Sequence, residues 1–370
     1  WDKSWMFNLF VKPFENRLGL DISSEGIHFA CVKHEKSGFS LQFYGYKTFE
    51  KEANFNSPES LSVVTDVLKE IVEEYKADTR NTVISASGNA AFIKKITLPN
   101  LPVEELNVIV PQEAAKHLPL SANEFNIDFE ILENTKRKDE TSEKVDVVLC
   151  ALSKSAAKSW LDILSGAGYR VKAIDISSFA MITALAHSGM INEPGKTYVS
   201  VLIDNLSTDI NVIQESMPVF THNIQAGRKN ILESVANTLN QEKNEILYLL
   251  SDVALMVPGS EMSENQDLNR ASSAARNTYS LIAGEIQKTI EFFRSESAEP
   301  MEVEKIFIGG SGACVQNIDK YLFNKLRIET ALFNPFINLS EEMGAQENLL
   351  YPVNIPSFST CIGLALKDLK

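Results

Sequence analysis

Two stretches far apart in the chain follow one pattern. Residues 17–32, RLGLDISSEGIHFACV, run as an apolar strand to Asp21, turn through Ser23, Ser24 and Gly26, and resume as a second apolar strand. Residues 197–216, TYVSVLIDNLSTDINVIQES, do the same around Asp204, Ser207 and Thr208. Each leads to a third strand, at 39–48 in the first case and through Met217-Pro218 into VFTHNIQAG in the second. A long-period recurrence of this kind is most economically an internal duplication. It predicts two similar lobes facing each other, each opening on a meander of strands.

The segments between and after these stretches read as an α/β fold. Ser57 is placed as an N-cap with Pro58 at the first helical position, and Leu61, Val64, Leu68, Ile71, Val72 and Tyr75 recur at helical spacing. A strand follows at 82–87. Residues 91–171 change rhythm: strand AFIKKITLP, helix VEELNVIVPQEAAKHLPL with an interruption expected at Pro111, strands FNIDFEIL and KVDVVLCALS, and helix SKSAAKSWLDILSGAG. The charge run 136–144, KRKDETSEK, is expected to be a solvated hairpin tip, and the region is expected to be a small inserted module. YRVKAIDIS then forms a strand ending at Asp175, and SSFAMITALAHSGM a helix. Residues 227–298 are helical, with a polar connection at 258–267 and a long helix from about 270 to 297. KIFIGG is a strand that enters a turn at Gly309–Gly312, with a helix expected directly after it, then the strand RIETALFN and a terminal helix STCIGLALKDLK.

Composition narrows the function classes. At 370 residues with 44% hydrophobic residues the chain can bury more than one core. A net charge of −14 argues against a general nucleic-acid or anionic-lipid binder. Cys31, Cys150, Cys314 and Cys361 stand far apart with no CxxC pair, which fits free thiols in a reducing cytoplasm rather than a zinc or redox centre. No apolar stretch approaches the roughly 18 residues of a membrane span. Met6, Phe7, Leu9, Phe10 and Val11 form a short apolar patch, read as a terminal arm.

Three strand-ending turns carry the candidate chemistry. Backbone amides of small-residue turns can cradle phosphate, and an adjacent carboxylate can hold a hydrated magnesium ion. The first turn offers Asp21, Ser23 and Ser24, and the second Asp204, Ser207 and Thr208, with Gly227 at the following helix; the third offers Gly309, Gly310 and Ser311. Asp21 and Asp204 are the candidate magnesium carboxylates, with turn capping as the alternative role for both. Asp175 is a candidate for polarising an attacking water, or else a cap before the helix that follows. The five histidines show no Ser-His-Asp or metal-ligand spacing, and His28 is read as a strand residue.

The ordered set of turns resembles the actin-like ATPase superfamily, and within it the chain resembles the PilM family of type IV pilus assembly. The likeness rests on RLGLDISSEGIHFACV, ITLPNLPVEELNVIVPQEAAKHLPLSANEFNIDFEIL at 96–132, VDVVLCALSKSAAKSWLDILSGAGYRVKAIDISSFAMITAL at 145–185, IQKTIEFFRS at 286–295, IFIGGSGA at 306–313 and TALFNPF at 330–336. The LP…EL…Q.EA…LP…DF stretch marks an inserted subdomain shared with FtsA-like proteins. The resemblance implies an actin-like (ribonuclease H-like), duplicated two-lobed α/β fold with a small inserted α+β subdomain. Its implied boundaries are a first lobe at 15–96 and 172–197, the insert at 97–171, and a second lobe at 198–370 with a helical part at 227–300. It further implies ATP and magnesium between the lobes, and a groove at the insert for the cytoplasmic N-terminal peptide of a PilN-like inner-membrane protein. Other implied partners are the pilus inner-membrane platform and motor components and another copy of the chain, with the protein cytoplasmic and peripheral to the inner membrane. Two departures from the family pattern weaken the implied ATP site. Ser23 replaces a glycine and His28 stands where a lysine is usual; Asn205 and Leu206 occupy the second turn. The chain is therefore read as a structural adaptor, the rivals being an FtsA-like membrane-associated division protein, another active actin-like ATPase, or a sugar kinase.

Overall fold

The computed structural model describes residues 16–35, 38–55, 57–86, 91–118, 121–132, 144–250, 252–257, 263–296, 301–313, 315–341 and 355–367. The N-terminal apolar patch, Cys314 and all but the last residue of the charge run lie outside them. In chain order the first elements are β1 (Asn16–Ile22), β2 (Gly26–Glu35), β3 (Gly38–Thr48), α1 (Pro58–Tyr75) and β4 (Thr82–Ala86). The insert comprises β5 (Ala91–Pro99), α2 (Val103–Ala114), β6 (Phe125–Ile131) and β7 (Lys144–Ser153). There follow α3 (Lys154–Gly166), β8 (Val171–Ile176), α4 (Ser177–His187), β9 (Thr197–Ile203), β10 (Thr208–Gln214) and β11 (Met217–Ile224). The remainder is α5 (Arg228–Leu239), α6 (Lys243–Leu249), α7 (Gln266–Glu296), β12 (Val303–Gly309), α8 (Ile318–Leu326), β13 (Thr330–Leu332), β14 (Leu339–Glu341) and α9 (Ser359–Leu366).

The chain divides into two compact units: residues 1–85, 160–190 and 333–370, and residues 86–159 and 191–332. The first unit holds a six-stranded sheet in the order β14-β3-β2-β1-β4-β8. One face of it, with Leu18, Leu20, Ile27, Phe29 and Cys31, packs on Val64, Leu68 and Ile71 of α1 and on Ile163 and Leu164 of α3. The other face is covered by α9, every residue of which is buried. The contact requires glycine twice: a Cβ on Gly19 would collide with the Cys361 carbonyl, and one on Gly363 with the Ala180 carbonyl of α4. The helix can lie that close to sheet and helix only because neither glycine carries a side chain. This packing places α9 in the core of the first unit, where the expectation had 198–370 in the second lobe.

The second unit holds a five-stranded sheet, β11-β10-β9-β12-β13. The β3-β2-β1-β4 meander and parallel partner of the first unit recur here as β11-β10-β9-β12, antiparallel, antiparallel, parallel. The stripe of Tyr279, Ile282, Ile286 and Ile290 on α7 is buried, as helical periodicity predicts. The insert forms a separate antiparallel sheet, β5-β7-β6, whose core of Ile96, Leu98, Val145, Val147 and Leu149 closes on Leu106, Val110 and Ala114 of α2. Contrary to expectation, α2 runs through Pro111 without a break. Pro111 has no N–H to offer the Asn107 carbonyl four residues back, but Asn107 is exposed, and Pro111 still accepts from the Ala115 N–H at 3.1 Å. The turn after β12 also differs: Ser311–Ala313 is a short 3-10 turn and α8 starts only at Ile318, after Gln316 bridges to Ala254.

Candidate functional site

In the first unit Asp21 sits on the last rung but one of the β1/β2 hairpin, opposite His28. Ser85 Oγ at the end of β4 donates to Asp21 Oδ1 at 2.6 Å. Burial pushes the Asp21 carboxyl up to about 6, against the smaller opposing effect of the Ser85 hydrogen bond. Two residues on, the turn is closed by the Ser23 N–H donating to the Gly26 carbonyl at 2.9 Å, and the Glu25 N–H donates to Ser23 Oγ. The Ser24 carbonyl accepts from the Ala53 N–H. His28 lies 9% exposed, stacked on Tyr46 at 4.2 Å and edge-on to Phe358 at 5.3 Å. The position expected to carry a phosphate-pairing cation is thus an aromatic stack.

In the second unit the turn closes in the same way, the Asp204 N–H donating to the Ser207 carbonyl at 2.9 Å. The last cross-strand pair before that bond is Ile203–Thr208, matching Ile22–Ile27 in the first unit. Register therefore makes Ser23, not Asp21, the counterpart of Asp204, and makes Leu202 the counterpart of Asp21. The echo read from sequence is displaced by two residues, because cross-strand pairing and not spacing from the carboxylate sets equivalence. The turn is also the cap of α5: the Asp204 and Asn205 carbonyls accept from the Arg228 and Lys229 N–H groups at 2.8 and 2.9 Å. Gly227 is required there, since a Cβ would strike the Asp204 carbonyl. The helix N-terminus, which could otherwise hold an anion, is satisfied by protein carbonyls. Ser207 and Thr208 are buried, and the Thr208 hydroxyl donates to the Ala226 carbonyl at 2.6 Å. Leu206 is 54% exposed at the tip.

The third turn follows β12 in the same sheet, where Gly309 pairs with Leu202. Gly310 has φ +90°, and a Cβ on it would meet the Ile203 carbonyl. Its glycine is needed for the fold itself. The Tyr279 hydroxyl on α7 pins this turn by donating to the Gly312 carbonyl at 2.6 Å. Ser311 opens the short 3-10 turn.

Asp175 lies in β8, and both its oxygens are engaged: Oδ2 by Lys367 Nζ at 2.8 Å and Oδ1 by the Ile176 N–H at 2.8 Å. This geometry ties the chain beyond α9 to β8 and gives no support to water activation, the role first considered for Asp175. A group absent from the candidates stands out instead. Asp209 on β10 is 6% exposed, accepts from Asn223 Nδ2 at 2.8 Å, and has its carboxyl raised by burial. Sequence offered no local signal for it: in TDINV the residue shares the polar face of the strand with Asn211, the place an exposed acid would take. Among the described residues no group of His, Cys, Asp and Glu is arranged to hold a metal by itself, and no helix is long and apolar enough to cross a membrane.

A duplicated strand meander with a parallel fourth strand, split by a small inserted sheet, defines the actin-like class. Solved structures of that class agree with the fold. The chain has a TM-score of 0.54 to MreB5 of Spiroplasma citri bound to ADP, at 10% identity over 94% of each chain. To the ethanolamine utilization protein EutJ of Carboxydothermus hydrogenoformans the TM-score is 0.51 at 11% identity, covering 95% of this chain and 89% of that one. Similarity is greater to a PilM-PilN type IV pilus biogenesis complex: TM-score 0.78, 21% identity, 96% of this chain and 98% of the other. The family model of type IV pilus assembly protein PilM matches residues 19–249 and 275–369, and the chain belongs to that family.

Proposed function

We propose that this protein is a type IV pilus assembly adaptor that takes up the cytoplasmic N-terminal peptide of a PilN-like inner-membrane protein. The observation that carries the reading is the family match on both sides of and through the insert, residues 19–249 and 275–369. The PilN association of the structurally similar PilM points the same way. The insert is the proposed receiving module, and the partner would hold the protein at the cytoplasmic face of the membrane. Titration of the protein with a synthetic peptide of that N-terminus should show saturable binding, lost when the insert is removed; no binding at hundreds of micromolar peptide would sink the reading.

We further propose that the turns of each unit carry weakened nucleotide contacts. An MreB of the same fold class is bound to ADP, which supports a site of that kind. Asp21 fits the magnesium side of it: a half-buried carboxylate with one oxygen held by a neutral hydroxyl suits a hard cation. Ser24, Gly309 and Ser311 remain the proposed phosphate contacts. The grip is weak because amides at the turns are already donated, those of Ser23, Glu25, Asp204 and Ala313 among them. A stacked His28 supplies no lysine-like charge, and a lost charge-assisted hydrogen bond costs about 1.5–3 kcal/mol, roughly tenfold or more in affinity. Thermal denaturation with millimolar Mg-ATP should therefore raise the midpoint by only about 1–2 °C. A rise of about 8 °C would show a tight site and overturn the weakened reading.

A further inference from the structure

Pairing register lines up one row of residues across each repeat. In the first unit the row reads Tyr46, His28, Asp21 across β3, β2 and β1, with Ser85 of β4 hydrogen-bonded to Asp21. In the second unit the matching row reads Asn223, Asp209, Leu202, Gly309 across β11, β10, β9 and β12. Each row holds one carboxylate, in both cases one rung short of the last pair before the turn. Leu202 has taken the place of the first-strand carboxylate, and Asp209 supplies one from the facing strand.

The two carboxylates share a hydrogen-bonding pattern, Asp21 half-buried and Asp209 buried. Asp21 receives one hydrogen bond from a neutral hydroxyl and Asp209 one from a neutral amide, and Gln225 Nε2 donates to Asn223 Oδ1 at 2.8 Å, which aims the Asn223 amide hydrogens at Asp209. The second oxygen of each meets no donor among the described residues, yet is not sealed from solvent. Among the described residues the hydrogen bonds that reach these carboxyls come from neutral groups alone. A carboxylate 94% withdrawn from water without a counter-charge is costly unless a cation reaches it. Asp204 is placed differently. It lies past the last rung, and its backbone closes the turn and caps α5.

We propose that Asp209, and not Asp204, is the carboxylate that the second repeat presents to a hydrated divalent cation. The inference rests on reading these turns as a phosphate and cation site, and it reassigns the cation ligand within that site. Magnesium suits a single carboxylate that leaves most of the hydration shell in place, since this ion gives up water reluctantly.

Mn2+ as a paramagnetic probe, titrated against the full chain and followed by electron paramagnetic resonance, tests this directly. Asp209→Asn should weaken Mn2+ uptake at least tenfold, and with no metal present it should raise the melting midpoint by about 2–4 °C, because an uncompensated buried charge is gone. Asp204→Asn should leave Mn2+ affinity within about twofold. Unchanged affinity in Asp209→Asn, the loss appearing in Asp204→Asn instead, or no Mn2+ uptake by the wild type at millimolar metal would each overturn the proposal. ADP binding measured separately in EDTA keeps the two readings apart. ADP retained while Asp209→Asn has no effect on Mn2+ removes only the cation assignment; Mn2+ uptake that depends on Asp209 without ADP binding removes only the nucleotide.

Discussion

A half-buried carboxylate with no counter-charge hydrogen-bonded to it favours its protonated form, and at Asp21 this gives stability a definite pH dependence. Its carboxyl is raised from 3.8 to about 6, so the folded chain binds the proton more tightly than the unfolded one. Stability therefore falls as pH rises from about 4 to about 6 and then stays lowered, by about 3 kcal/mol at neutral pH. Asp21→Asn should lose that slope and be more stable than wild type at pH 7 but not at pH 4, which urea unfolding at the two values would show. Ser85→Ala, which removes the one hydrogen bond that opposes the shift, should extend the falling range to higher pH. Asp21 was legible in the sequence because it interrupts an apolar run. Asp209 was not, because nothing local distinguishes it from the exposed acids of other strands; only Asn223 and the burial of its rung do.

At the scale of elements, glycine decides how closely they pack. Gly19→Ala or Gly363→Ala forces α9 away from β1 or α4, and each should destabilise the protein by about 3 kcal/mol, read as a lower denaturation midpoint at unchanged slope. Gly284, inside α7, is the opposite case. Nothing lies within 4 Å of a Cβ built there, so Gly284→Ala should stabilise by about 0.5–1 kcal/mol through helix propensity alone. Most elements could be read from periodicity and caps: α1 begins at Pro58 after Ser57, and β1 to β3 fall within a few residues of their expected bounds. Besides the late start of α8, the exceptions include β14, three residues paired in parallel with β3, and the continuity of α2 through Pro111. The last two leave no local signal, since β14 depends on a partner 300 residues away in sequence and α2 on an exposed carbonyl at Asn107.

At the scale of the molecule, the insert has its own core, and its entering and leaving strands are paired, Ala91 with Leu152. Excising 91–153 with a short Gly-Ser bridge should leave a folded protein with native near-ultraviolet circular dichroism that no longer binds the partner peptide. Loss of near-ultraviolet signal would show that the insert is not an autonomous module. The sequence by itself determined the duplication, the insert and the succession of strands and helices, because these follow from local periodicity and from turn chemistry repeated at two places. Tertiary structure alone decided three things: that the C-terminal helix is core to the first unit, that α5 is capped by the second turn, and that the second repeat's buried carboxylate is Asp209. Each depends on register or on close approach between segments distant in the chain, and neither is encoded in the spacing of residues along it.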